Sequence, residues 1–208
     1  MGVAADERRA LSVLFEEVGP DAPTLCEGWR TRDLAAHLVV REHRPDAALG
    51  ILLPPLASHL RRVQDGYAAE SWDKLVARVR SGPARFWPTS IPAVDELANT
   101  AEFLVHHEDV RRAQPGWEPR AADPARDAAA WKTARGLAKV TLRKSPVGVI
   151  LRTEDGRTAS AKAGPDEVTL TGTPVELLLF LFGRDEVRIS FEGSASAIEK
   201  VKALKRGF

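Results

Sequence analysis

Residues 98–113, ANTAEFLVHHEDVRRA, decide how the rest of the chain is read. The stretch has helical periodicity, and at about 100° per residue Glu102, His106 and Asp109 fall within one sector of roughly 60°. Beside that sector runs an apolar stripe of Val94, Leu97, Ala98, Ala101, Leu104 and Val105. A carboxylate and an imidazole four residues apart are stacked neighbours on a helix, so they can close on one divalent metal. Asp109, three residues beyond His106, is spaced to reach the other imidazole nitrogen as an orienting carboxylate. His107 points about 100° further round, toward Phe103 and Val110, and reads as a structural or rim residue. The plain alternative is a surface Glu102–His106 pair with a partly buried imidazole, and the adjoining apolar stripe counts against it.

Two donors do not complete a site, so another element must supply a third. Leu11, Leu14, Phe15 and Val18 mark a first helix over 4–18, stopped by Gly19-Pro20. Residues 20–30 are too irregular for an element. Thr31 offers an N-cap, and Asp33 a first-turn carboxylate, to a second helix from about Arg32 to Arg44, which Pro45 interrupts. His37 on this helix is the candidate third ligand. It shares its side with Leu34, Arg41 and Arg44, so two guanidinium groups lie one or two turns away and suit an anionic ligand. His43 faces another side, and His59 follows a double proline. Residues 46–68 form a helix broken by Pro54-Pro55. Ser71 caps a helix through Arg80, and Ser90 and Pro92 open the metal helix, with Asp95 and Glu96 toward the positive end of its dipole. About four main helices result, a bundle with ligands projecting from facing helices. Two imidazoles and one carboxylate form the open, catalytic type of zinc site, with a position left for water or a sulfur donor. The same donors also suit nickel, iron or cobalt.

Beyond Ala113 the composition changes. Residues 114–124 hold three prolines and a glycine and read as a linker. A helix over 124–138 follows. Strands over 147–153 and 158–163 flank Glu154-Asp155-Gly156-Arg157, whose Asp-Gly is a hairpin signal. A strand over 168–171, an apolar helix over 174–182, a strand over 187–192 and a helix over 196–205 complete the pattern. The expected architecture is α plus α+β: a metal-binding helical bundle over 1–115 and a small α+β domain over 122–208.

Composition narrows the functional classes. The 208 residues carry 30 basic and 29 acidic side chains, a net charge of +1, so no overall field favours a nucleic acid or an anionic membrane. No apolar run approaches the roughly 20 residues of a membrane span. The opening MGVAADERRAL has no apolar leader region, which points to a cytoplasmic protein. The single Cys26 excludes an internal disulfide and a Cys-rich zinc knuckle. Nothing in LCEGW lowers its pKa and Glu27 opposes a thiolate, so Cys26 reads as a packing thiol. The five tryptophans, Trp29 and Trp87 among them, read as core residues, and Lys200, Lys202, Lys205 and Arg206 as a solvated face. No Gly-rich phosphate loop, Gly-x-Ser-x-Gly or His-Glu-x-x-His is present.

Residues 24–45, TLCEGWRTRDLAAHLVVREHRP, with 101–113, AEFLVHHEDVRRA, resemble the N-terminal metal-binding domain of mycothiol-dependent maleylpyruvate isomerases and their relatives in the DinB-like thiol-transferase superfamily. The wording is similar to an actinobacterial branch described only as metal-binding proteins. The family pattern Trp-x-x-x-Asp-Leu-x-x-His falls on Trp29, Asp33, Leu34 and His37, and Glu-x-x-x-His-x-x-Asp on Glu102, His106 and Asp109. The resemblance implies a DinB-like four-helix bundle in which His37, Glu102 and His106 bind zinc and a low-molecular-weight thiol such as mycothiol meets the metal. Residues 172–193, GTPVELLLFLFGRDEVRISFEG, resemble the family's second, α+β domain, whose arginine contributes to the isomerase site; Arg184 is the closest match and Arg188 competes. Arg41, Arg44 and Arg184 are then the expected holders of thiol or substrate carboxylates. The expected activity is S-transfer to, or thiol-assisted isomerisation of, a small electrophile. A metal-assisted hydrolase, with Asp109 or Glu27 as base, and a non-catalytic metal or small-ligand binding protein are the alternatives.

Overall fold

Apolar residues three and four apart build the first helices. The computed structural model describes residues 2–51, 53–83 and 92–207. The chain divides into two compact units, Met1–Glu118 and Pro119–Phe208, and the division falls within the proline-rich stretch. In the first unit α1 spans Val3–Val18, α2 Thr31–His43, α3 Pro45–Ala48, α4 Ala57–Ala68, α5 Trp72–Ser81 and α6 Pro92–Arg112. Single 3-10 turns at Leu49–Ile51 and Pro54–Leu56 carry the chain past the prolines. Ser90 and Trp87, and the side chains of Val94, Leu97 and Ala98, lie outside the described residues.

Leu11 and Phe15 of α1, Leu34 and Leu38 of α2, Leu75, Val76 and Val79 of α5, and Phe103 and Val110 of α6 share one buried cluster. Burying each large apolar side chain contributes about 1.5–3 kcal/mol. Helix α4 has no buried residue and adds only Tyr67 and Ala68 at the edge, so α1, α2, α5 and α6 hold this core.

Three caps differ from local expectation. Ser71 stands at the N-cap position of α5, but its side chain makes no capping hydrogen bond. Thr31 is fully buried and its hydroxyl donates to the Gly19 carbonyl at 2.6 Å, so it ties α2 to the end of α1 instead of capping α2; Asp33 accepts the Arg30 N–H at 2.9 Å at the helix entry. Glu96 serves another helix's dipole: its carboxylate accepts the N–H groups of Val3 and Ala4 at 3.0 and 3.1 Å, at the start of α1, where Gly2 has no side chain to cap with.

The second unit is α+β. Helix α7 spans Pro124–Thr141, followed by β1 Val149–Thr153, β2 Thr158–Lys162, β3 Val168–Gly172, α8 Pro174–Leu181, β4 Ser190–Glu192 and α9 Ala195–Lys202. The sheet order is β2-β1-β3-β4, with β1 antiparallel to β2 and parallel to β3. The hairpin turns at Glu154–Arg157, where Gly156 takes φ 87° and its N–H reaches the Thr153 carbonyl. Alternate residues of β1 and β3 are buried, and every residue of α8 is buried. Helix α7 packs on α8 and β2, and α8 and α9 pack on β3. The last strand is shorter than the alternation over 187–192 suggests, because the buried Glu176 carboxylate takes the Arg188 N–H at 2.6 Å before the ladder begins at Ser190. No helix among the described residues is long and apolar enough to cross a membrane.

Candidate metal centre

Helix α6 presents Glu102, His106 and Asp109 on one face, and α2 presents His37 to them. His37 Nε2 lies 3.1 Å and His106 Nε2 3.2 Å from the same oxygen, Glu102 Oε1. The ligating atoms of the three residues lie within 4.8 Å of one another. The two imidazoles meet edge to face, with ring centroids 5.6 Å apart. Such convergence of two nitrogens and one oxygen is compatible with a divalent metal ion.

The ring orientation is set from behind. His106 Nδ1 donates to Asp109 Oδ2 at 2.9 Å, since a carboxylate can only accept, and the Asp109 side chain is fully buried. That bond leaves Nε2 as the ligating nitrogen, the arrangement in which a carboxylate orients a metal-bound histidine. Arg41, one turn beyond His37, places Nη1 3.3 Å from Glu102 Oε1 and donates to Asn99 Oδ1 at 3.2 Å. Asn99 in turn donates to Asp95 Oδ1 at 2.8 Å and Glu42 Oε1 at 3.2 Å, and Arg8 binds both of those carboxylates. A buried polar ladder thus runs from Arg8 to the three candidate donors.

Burial alone would lower the basicity of His106, but its hydrogen bonds to Asp109, Cys26 and Glu102 outweigh burial and hold the imidazole well above its ordinary pKa. Burial would raise Glu102, yet its bonds to His106 and His37 hold it well below the usual carboxylate range. Burial is the leading effect on His37, which is lowered. Without metal the two carboxylates thus favour the charged form of His106, and burial favours the neutral form of His37.

The other sequence candidates separate. His107 is buried and pairs with Glu7 Oε2 at 2.6 Å, a link between α6 and α1. Arg44 leaves the donor set and grips Asp46 with Nε at 2.9 Å and Nη2 at 2.7 Å, where His59 also binds. Arg184 belongs to the second unit, where its Nη1 donates to the Phe182 carbonyl at 2.7 Å. Two residues not expected at the centre adjoin it. Cys26 Sγ lies 3.2 Å from Asp109 Oδ2 and 3.7 Å from His106 Nδ1, and the Trp29 ring lies 5.0 Å from that of His37. Trp29 opens the Trp-x-x-x-Asp-Leu-x-x-His pattern that ends on His37, whereas the local signal for Cys26 was only its position in the short loop that leads into α2. Cys26, His106 and Asp109 also satisfy the spacing of a metal-ligating group, but they converge on Nδ1, the nitrogen already given to Asp109. Comparison of the chain with protein-family models, with curated proteins and with solved structures finds no match.

Proposed function

We propose that the protein is a metal-dependent enzyme that uses a low-molecular-weight thiol of the mycothiol type for S-transfer to, or thiol-assisted isomerisation of, a small electrophile. Its first unit would be a DinB-like four-helix bundle of α1, α2, α5 and α6, and its metal, zinc by donor type, would be held by His37, Glu102 and His106. The observation that carries this proposal is the convergence of both Nε2 atoms on Glu102 Oε1 with Asp109 fixed behind His106. A bound divalent ion at these donors supplies Lewis acidity, which lowers the pKa of a thiol brought to it.

The chain's own residues do the remaining work. Asp109 retains the Nδ1 proton of His106 and so keeps Nε2 available. Cys26 is the only cysteine of the chain and faces the Nδ1 edge of His106, so a sulfur donor at the Nε2 side comes from a separate molecule. Arg41 is the cation beside the donors, and about a quarter of its side chain is exposed, so it is the arginine placed to meet an acidic group of thiol or substrate. Of the two bases that a hydrolytic reaction could use, Asp109 is fully buried and committed to His106 and Cys26. That commitment takes Asp109 out of the hydrolytic reading and leaves the exposed Glu27 as its base.

Metal analysis with a thiol titration tests the proposal. Purified protein is expected to carry about one divalent ion per chain, the stoichiometry of a three-donor open site. His106→Ala and His37→Ala lose it. Cobalt-substituted protein develops a sulfur charge-transfer band when mycothiol is added, and consumption of an electrophile depends on that thiol. Equal metal content in wild type and His106→Ala refutes the ligand assignment, and turnover independent of added thiol refutes the thiol chemistry.

A further inference from the structure

The loop between α1 and α2 touches both histidines of the centre. Its backbone is closed on itself: Thr31 N–H reaches the Ala22 carbonyl at 3.0 Å, Trp29 N–H the Cys26 carbonyl at 2.9 Å, and Thr24 Oγ1 accepts the Cys26 N–H at 3.1 Å and donates to the Trp29 carbonyl at 2.9 Å. It is also fastened to α6 at one residue, because the Leu25 N–H donates to the Asp109 carbonyl at 3.1 Å. The Cys26 thiol then donates to Asp109 Oδ2 at 3.2 Å, the same oxygen that accepts His106 Nδ1–H, while Trp29 lies against His37. Both the backbone and the side chain of Asp109 are thus held by consecutive residues of one loop. A fully buried carboxylate that loses a donor is left under-satisfied, and its Oδ2, which His106 uses, is then no longer held in place from the loop side.

We propose that Cys26 is a positioning residue of the metal centre: its thiol fixes Asp109 on His106 Nδ1, so loss or covalent capping of the thiol loosens the metal. The inference rests on the metal assignment above. Cys26 as a residue is partly exposed, whereas Asp109 beside its sulfur is fully buried, so an adduct on the sulfur has no room beside the carboxylate. With iodoacetamide the sulfur displaces iodide, the thiol proton leaves to the buffer, and the S–H donor is gone.

The test compares zinc affinity, by chromophoric chelator competition, and the cobalt ligand-field spectrum in wild type, Cys26→Ala, Cys26→Ser and His106→Ala. Cys26→Ala is expected to bind zinc about 10–100-fold more weakly, the usual effect of losing an outer partner of a metal ligand, with a shifted cobalt spectrum. Cys26→Ser, which keeps a donor, recovers most of the affinity. Iodoacetamide releases zinc from the wild type with the same kinetics as alkylation, a measurement that needs no variant, and does not release it from Cys26→Ser. Wild-type affinity and spectrum in Cys26→Ala, beside a weakened His106→Ala, overturn the inference and leave the metal assignment standing. Equal weakness of Cys26→Ala and Cys26→Ser overturns the hydrogen-bonding role. Unchanged zinc affinity in His106→Ala, or no zinc uptake by the wild type, overturns the metal assignment and this inference with it.

Discussion

Metal uptake by this centre should expel one proton, and Asp109→Asn should abolish most of that linkage. In the metal-free protein His106 is protonated at neutral pH, because Asp109 at 2.9 Å and Glu102 at 3.2 Å hold the imidazolium against the effect of burial. Glu102 is already ionised and His37 already neutral, so neither contributes a proton. The sign follows: a metal competes with one proton at His106, so affinity rises with pH and levels off above the raised pKa of that residue. One linked proton corresponds to about tenfold in affinity, or about 1.4 kcal/mol, per pH unit. Asp109→Asn removes the first anionic partner of the imidazolium, so His106 becomes neutral at lower pH and the slope above pH about 6.5 flattens. At the same time the variant loses the orienting carboxylate, and its affinity at the plateau falls about 10–100-fold. The assay is zinc competition with a chelator across pH, with calorimetry in buffers of different ionisation enthalpy to count the proton. A zinc affinity independent of pH over this range, or an undiminished slope in Asp109→Asn, refutes the charge assignment.

Metal-free stability carries the same two groups with opposite signs. His106 has a raised folded pKa, so its contribution is complete below about pH 6.5 and is lost as pH rises through the folded value; Glu102 is lowered, so its contribution is complete above about pH 4.5 and is lost as pH falls through its folded value. Thermal unfolding in a chelator should therefore peak between those limits, and His106→Gln should flatten the alkaline side. Arg8→Met leaves Glu42 and Asp95 without their buried cation and should destabilise the protein by about 3–5 kcal/mol in urea unfolding; a loss below about 1 kcal/mol would contradict the buried network. Gly148→Ala puts a Cβ 2.8 Å from the Gly164 carbonyl oxygen where the chain enters β1, and should cost about 1–3 kcal/mol with the damage confined to the second unit, as read by amide exchange.

How much was legible in the sequence depended on how far each contact reaches along the chain. The shared face of Glu102, His106 and Asp109 follows from helical spacing alone, and so does the exclusion of His107. The hairpin at Asp155-Gly156 and the apolar helix α8 were equally local. Arg44 was placed with Arg41 on the assumption of a continuous helix, but Pro45 breaks it, and at φ −132° Arg44 has left the helical path and turns to Asp46. Thr31 had the chemistry of a cap, yet its burial under α1 gave its hydroxyl to Gly19. Cys26 was judged on its neighbours in LCEGW, and no local rule brings it to Asp109, 83 residues away.

The charge pattern along α6 explains why this helix carries the centre. Asp95, Asn99, Glu102, His106 and Asp109 lie at intervals of three and four, the spacing that normally carries core leucines, so the helix turns polar groups inward where an apolar stripe would be expected. Each buried charge needs a partner. At the Asp95 end Arg8 supplies it, and Asn99 passes the network to Arg41. At the other end the metal-free centre balances: Arg41 and the His106 imidazolium offset Glu102 and Asp109. Replacing that one proton by a divalent ion leaves the same group of side chains with one uncompensated positive charge in a poorly solvated place. A neutral water does not cancel it, whereas a thiolate or a substrate carboxylate does. The side-chain composition of the centre is thus matched to a metal together with an anionic ligand; a bound hydroxide supplies that charge as a thiolate does, so the thiol titration, and not the charge balance, separates the two chemistries.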